Sequence, residues 1–174
     1  MSPIYQFIYP FNTYALLTEL EYYQDEFKVY EDVRYDTLNN WKVLRDKPLR
    51  ALTKQYYKFC NDTGLEGKPR YYILDGNSVL PPHVDLNTEC SINHLLSGDA
   101  APITYTNYGN FEYKTALINT KEEHSVNNTK HNDRYLFKIS FFNHTFKEVK
   151  DKILAYEART KVWSWKAVKN LQQF

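Results

Sequence analysis

A chain of 174 residues has the size of one domain. Its 22 basic residues almost cancel its 21 acidic ones, which excludes a purely electrostatic binder of nucleic acid or of an anionic membrane. A content of 43% apolar and 17% aromatic residues excludes a disordered chain.

In chain order, the first part reads as helical. Asn12 is a candidate N-cap before TYALLTELEYYQ, in which Leu16, Leu17 and Leu20 recur at helical spacing. TLNNWKVLRD, residues 37–46, reads as a second helix. A third follows Pro48 through LRALTKQYYKFC and stops at the NDTG of residues 61–64. From Lys68 to Phe142 the texture changes to short runs rich in Tyr, Ile, Val, Phe and Thr, separated by turn residues. Eight runs are expected as strands: 69–74, 79–84, 90–96, 102–106, 111–114, 115–119, 124–128 and 134–142. So many short strands in one stretch suggest a double-sheet barrel or jelly roll rather than an open parallel sheet. Thr145 and Glu148 then form a capping-box pattern that opens a final helix. One domain over 1–174 results, with helical cover over 1–65, an eight-stranded core over 68–143 and a C-terminal helix over 145–174. Residues 147–170 hold seven basic residues against three acids, and the first 36 hold seven acids against two bases. A solvated charged face or docking of the tail on the N-terminal helices would account for this.

Cys60 and Cys90 are too few for a disulfide framework or a cysteine zinc site, and they point to reduced thiols in a cytoplasmic setting. The N-terminus lacks the basic start and apolar run of a signal peptide, and no apolar run approaches the length of a membrane span. The sequons at Asn61, Asn127 and Asn143 are accordingly expected to stay unmodified.

The chemistry-bearing residues lie on the strand runs. LPPHVDLNTEC places His83 and Asp85 two apart at the end of a strand, where residues i and i+2 share a face. A structural His to Asp hydrogen bond would explain such a pair equally well. His124, in INTKEEHSVNN, is a third group, at the start of another strand. Two imidazoles and one carboxylate hold a metal such as Fe(II) on one face and leave positions open; for any single histidine, a satisfied place in the core is the plainer reading. Ten residues on comes Arg134, which faces inward with Leu136, Lys138 and Ser140 if the run is a regular strand. A buried guanidinium does not lose its proton and so requires an anion, and a small carboxylate suits its bidentate fork.

HVD, the distal histidine of EEHSVNN and Arg134 in RYLFKIS, on eight strands flanked by helices, resemble the Fe(II)- and 2-oxoglutarate-dependent dioxygenases of the prolyl hydroxylase-like or aspartyl/asparaginyl hydroxylase-like kind. The resemblance covers residues 68–143. It implies a double-stranded β-helix, a mainly β fold of the α+β class with N-terminal helices packed on the larger sheet. It also implies HxD at the end of the second barrel strand, the distal histidine opening the seventh, and the basic residue on the eighth. On these positions His83, Asp85 and His124 would bind Fe(II), and Arg134 would hold the distal carboxylate of 2-oxoglutarate. Dioxygen would be consumed, succinate and carbon dioxide released, and an unactivated C–H bond hydroxylated. Tyr72, eleven residues before His83, and Asn93 are further candidates for the cosubstrate, with Ser91 beside Asn93. An aromatic packed between the sheets is the alternative for Tyr72, and Lys138 is the alternative base for the carboxylate. His94 points to the other side of its strand, and His131 and His144 have surface positions. Asp85 stands where relatives that halogenate have a small residue, which favours hydroxylation or oxidative demethylation.

The expected substrate is a peptide or protein side chain, with a free small molecule or a methylated base as the alternative. Near-zero net charge counts against nucleic acid. A non-catalytic jelly-roll binding protein, or more remotely a zinc hydrolase, could use the same residues. Oligomeric state and the individual substrate are not legible at this level.

Overall fold

The computed structural model describes residues 2–29, 41–97 and 101–171, with side chains as far as residue 161. In chain order these form β1 (Ile4–Gln6), α1 (Thr13–Tyr22), a short 3-10 turn (Gln24–Glu26), β2 (Lys28–Val29), β3 (Trp41–Val43) and α2 (Arg50–Thr63). Eight strands follow: β4 (Lys68–Leu74), β5 (Val79–His83), β6 (Cys90–Leu95), β7 (Ile103–Tyr105), β8 (Gly109–Phe111), β9 (Thr115–Asn119), β10 (His124–Asn127) and β11 (Arg134–Phe141). The helix α3 (Phe146–Leu171) ends the chain's described part.

All the strand pairs are antiparallel. One sheet runs β1-β9-β6-β11-β4-β3-β2 and the other β5-β10-β7-β8. Successive barrel strands therefore alternate between sheets, except that β7 and β8 form a hairpin within the smaller one, which is the jelly-roll arrangement of a double-stranded β-helix. The fold is mainly β with helices on one side.

Strand alternation divides the apolar residues into two cores. In β11, Phe137, Ile139 and Phe141 turn outward and join Tyr71 and Ile73 of β4 beneath the helices. Leu16 and Leu20 of α1, Leu52 and Phe59 of α2, and Val149 and Ile153 of α3 cover that face. Leu136 turns the other way and packs with Tyr72, Leu74, Leu80, Ile103 and Val126 between the two sheets. Both cores thus share the larger sheet as a common wall.

The helix boundaries follow local chemistry. Asn12 Oδ1 accepts from the Ala15 amide at 3.0 Å, as an N-cap does. Leu49 offers no side-chain cap to α2. Glu19 of α1 takes that role from a distance, accepting from the Ala51 and Leu52 amides at 2.8 and 2.9 Å. Gly64 closes α2 with φ +67°, a left-handed conformation that costs glycine little. The capping box of α3 forms, with Glu148 Oε2 accepting from the Thr145 amide at 2.8 Å and Thr145 Oγ accepting from the Glu148 amide at 3.3 Å. The same helix docks on the N-terminal part: Arg159 donates to the Asp62 carbonyl at 2.6 Å, and Tyr5 donates to Glu157 at 2.6 Å.

Three features differ from the sequence expectation. Within TLNNWKVLRD, Trp41–Val43 is strand β3, not helix, while residues 37–40 lie outside the described residues. The edge of β4 supplies these residues with hydrogen-bond partners, and Trp41 stacks on Tyr72 with centroids 5.3 Å apart; tertiary pairing overrides a weak helical pattern. The stretch 1–65 accordingly contributes the strands β1, β2 and β3 as well as helical cover. The fifth barrel strand lies at Gly109–Phe111 rather than 111–114, because it pairs with β7 through Gly109 opposite Tyr105.

Phe59 has no exposed surface and sits edge-on to Tyr9, with centroids 5.2 Å apart. Phe59→Ala is expected to cost about 3–5 kcal/mol in a denaturant titration. His94 is buried among the helices, bonded to Thr115 Oγ at 2.7 Å and Thr13 Oγ at 2.9 Å. Burial, aided by Lys114, pushes its imidazole down to about 4 from the ordinary 6.5. The unfolded chain therefore takes up this proton first, so the contribution is intact above pH 6.5 and is lost as pH falls from 6.5 towards 4. In His94→Gln, the slope of stability against pH in that window should flatten by about one proton.

Candidate metal centre

The pairing of β5 with β10 places His83 directly opposite His124, with ring centroids 4.4 Å apart. His83 is the last residue of β5 and His124 the first of β10, so both rings sit at the same open end of the smaller sheet. Asp85 lies just past the end of β5, in the following turn, so strand alternation no longer aims it. A cross-link to the next loop does so: the Asp85 amide donates to the Thr120 carbonyl at 3.0 Å. Lys121 holds the same turn from outside, donating to the carbonyls of Asp85 and Leu86 at 3.3 and 2.8 Å.

One ligand-type atom from each of His83, Asp85 and His124 lies within 4.8 Å of the other two. Both imidazoles are oriented alike. His83 Nδ1 is 2.8 Å from the Pro81 carbonyl, and His124 Nδ1 is 2.9 Å from the Glu122 carbonyl. A carbonyl only accepts, so each neutral ring keeps its proton on Nδ1 and its lone pair on Nε2. His83 Nε2 lies 3.6 Å from Asp85 Oδ1. Two imidazole lone pairs and one carboxylate, with the far nitrogens tied to backbone carbonyls, match the donor set and the outer support of a divalent iron site. The residues present fit such an ion.

Charge states suit the same role. Burial pushes the Asp85 carboxyl up, but Lys138 and the two imidazoles outweigh it and hold it below its usual range. Burial and the neighbouring His83 press His124 down to about 4, so its ring is neutral near pH 7. Lys138 Nζ stands 3.5 Å from Asp85 Oδ2. Burial alone would lower this ammonium, but Asp85 and Tyr72 raise it, so it stays charged.

The triad opens into a cavity of about 210 Å³ between the sheets. Arg134 and Lys138 of β11, Tyr72 of β4, and Ser91 and Asn93 of β6 all line it. Arg134 is 1% exposed; it donates to the Ala101 carbonyl and, at 2.7 Å, to the Tyr113 hydroxyl. Among the described residues no carboxylate faces this guanidinium. Asn93 joins the network, donating to the Tyr113 hydroxyl at 3.3 Å and accepting from Ser91 Oγ at 3.0 Å. Tyr72 lines the cavity and also packs between the sheets against Trp41, so both sequence readings describe it. His94 lies on the helix side of the sheet, and neither His131 nor His144 lines the cavity.

Sequence reasoning did not find Tyr113, the hydroxyl that steadies Arg134. It lies in NFEYK between β8 and β9, with nothing local to distinguish it from the chain's other 15 tyrosines.

No helix among the described residues is long and apolar enough to cross a membrane. Neither a protein-family model nor a curated protein matches the sequence. Among the solved structures that share the fold are two prolyl hydroxylases. A prolyl hydroxylase from Trichoplax adhaerens, in complex with a hypoxia inducible factor oxygen degradation domain peptide fragment, superposes with a TM-score of 0.60 at 15% identity, over 87% of this chain and 85% of that one. A Pseudomonas putida prolyl-4-hydroxylase does so with a TM-score of 0.60 at 12% identity, over 81% and 91%. At these identities the likeness speaks for the fold.

Removing either imidazole should weaken divalent metal binding by more than the roughly 10–100-fold that loss of an outer partner costs. His83→Ala and His124→Ala are to be compared with the unsubstituted chain by electron paramagnetic resonance of bound Mn(II). Unchanged affinity in both would remove them as ligands.

Proposed function

We propose that this protein is an Fe(II)- and 2-oxoglutarate-dependent dioxygenase that hydroxylates an unactivated C–H bond, with a peptide or protein side chain as substrate. The observation that carries this reading is that one cavity is lined both by His83, Asp85 and His124, whose ligand atoms converge, and by a buried Arg134 without a carboxylate partner among the described residues.

His83, Asp85 and His124 would hold the iron, which would supply the activation of dioxygen that no side chain here can provide. In the overall reaction, dioxygen, 2-oxoglutarate and the C–H compound become succinate, carbon dioxide and the hydroxylated product; one oxygen atom enters succinate and the other the product.

The chain's own residues bind, orient and shield. Arg134 offers N–H donors beyond the two engaged by Ala101 and Tyr113, and a carboxylate of 2-oxoglutarate satisfies its buried charge. Tyr113 holds the guanidinium plane, and Asn93 holds Tyr113. Tyr72 and Asn93 border the space that the cosubstrate would fill. The Pro81 and Glu122 carbonyls keep both imidazoles in the tautomer that presents Nε2. Leu80, Ile103 and Val126 line the cavity with apolar surface that limits water around the reacting groups. A peptide substrate is in keeping with the bound peptide of the Trichoplax adhaerens structure.

Succinate release measured with Fe(II), 2-oxoglutarate and dioxygen, with and without a chelator, tests the reading. Metal-dependent turnover is expected; a folded chain that binds neither Fe(II) nor 2-oxoglutarate would be a binding protein instead. Arg134→Ala should raise the Kd for 2-oxoglutarate by about tenfold or more, the worth of a charge-assisted pair, with Arg134→Lys intermediate. An unchanged Kd in Arg134→Ala would transfer that role to Lys138.

A further inference from the structure

The cavity walls carry three cations, Arg70, Arg134 and Lys138, against one carboxylate, Asp85. If the triad takes a divalent cation and Arg134 a dianionic cosubstrate, those two ligands cancel one another. An excess of two positive charges then persists inside a small, partly apolar space.

That excess has a location. Arg70 of β4 and Lys138 of β11 stand directly opposite each other across an antiparallel pair, and both side chains face the cavity. Like charges at such a position repel and destabilise a sheet. Lys138 has Asp85 as its counterion, but that carboxylate is also the one the metal would share. The Arg70 side chain has no hydrogen bond or ion pair with any described residue, although it is only partly exposed. It lies two strand positions from Tyr72 and four from Leu74, which faces Arg134; the row thus runs from a fully buried cation outward to a half-exposed one. Leu86 and Phe142, both solvent-exposed, line the same opening and add apolar surface beside the charges.

Resting on the dioxygenase reading above, we propose that the substrate carries a carboxylate, received between Arg70 and Lys138, so that the hydroxylated carbon belongs to an acidic residue or lies next to one. The carboxylate relieves the repulsion between the two cations and gives Lys138 a counterion when Asp85 turns to the metal. An amide or hydroxyl of the same shape does neither. Arg70, at the partly exposed end of the row, is then the residue that selects acid over amide, distinct from Arg134, which serves the cosubstrate.

The test uses the full chain loaded with Mn(II) and 2-oxoglutarate under anaerobic conditions. N-acetyl-aspartate amide, N-acetyl-asparagine amide and free aspartate serve as probes, and paramagnetic relaxation of their protons by Mn(II) reports binding close to the metal. The acid probes are expected to bind about tenfold or more tightly than the amide probe, the worth of a charge-assisted hydrogen bond. Arg70→Gln should abolish that preference while Arg70→Lys keeps most of it, and thermal melts establish that both variants fold. Preference for the capped acid places the substrate in a peptide, and preference for free aspartate places it among free acids; either supports the proposal. Equal binding of acid and amide, or an acid preference untouched in Arg70→Gln, overturns it while the dioxygenase reading stands. Failure of the unsubstituted chain to bind Mn(II) or 2-oxoglutarate overturns that reading, and this inference with it.

Discussion

The antiparallel pairing of β5 with β10 is the constraint on which the candidate site depends. It sets His83 across from His124, and because side chains alternate along a strand, a slip of one residue would turn one ring away from the other. The pairing is held from several sides. β7 flanks β10 on its other edge, Leu80 and Val126 anchor the same two strands in the core between the sheets, and the Pro81 and Glu122 carbonyls fix each ring about its own axis. Asp85 then needs only the short bridge to Thr120 to reach the same point.

The second sheet contributes charge where the first contributes lone pairs. β11 is the middle of the larger sheet, packed under helices on one face, and the cavity is cut into its other face. Its inward positions hold Arg134 and Lys138, where a purely structural strand would hold apolar residues. Such placements are costly unless an anion or an acid meets them. Among the described residues only Asp85 does so, for Lys138. Several cations around one carboxylate in a space of about 210 Å³ make that space electrostatically suited to anions.

Much of this was legible in the residues. The alternation of RYLFKISF separates Arg134, Leu136, Lys138 and Ser140 from Tyr135, Phe137, Ile139 and Phe141, and the two sets do face the cavity and the helices respectively. Asn12, the NDTG of residues 61–64 and the Thr145–Glu148 box mark helix ends by chemistry that acts within four residues; Asn12 and the box act where expected, and α2 runs through Thr63 to end at Gly64, the last residue of NDTG. What depended on distant partners was not legible. Trp41–Val43 becomes a strand because β4 offers it an edge, Glu19 caps a helix thirty-odd residues away, and Tyr113 matters only because Arg134 ends beside it.

The sequence by itself therefore determined the types of group available, their order and their faces: two imidazoles, a carboxylate and an inward arginine on a jelly roll. These follow from periodicity and side-chain chemistry, which are local. Only the tertiary structure decided that three donor atoms meet within 4.8 Å, that Lys138 leans on Asp85, and that Arg70 joins Lys138 and Arg134 in one cavity. Those facts depend on which strands become neighbours and in what register, and register is set by the burial of both sheet faces together, a property that no single stretch of the chain contains.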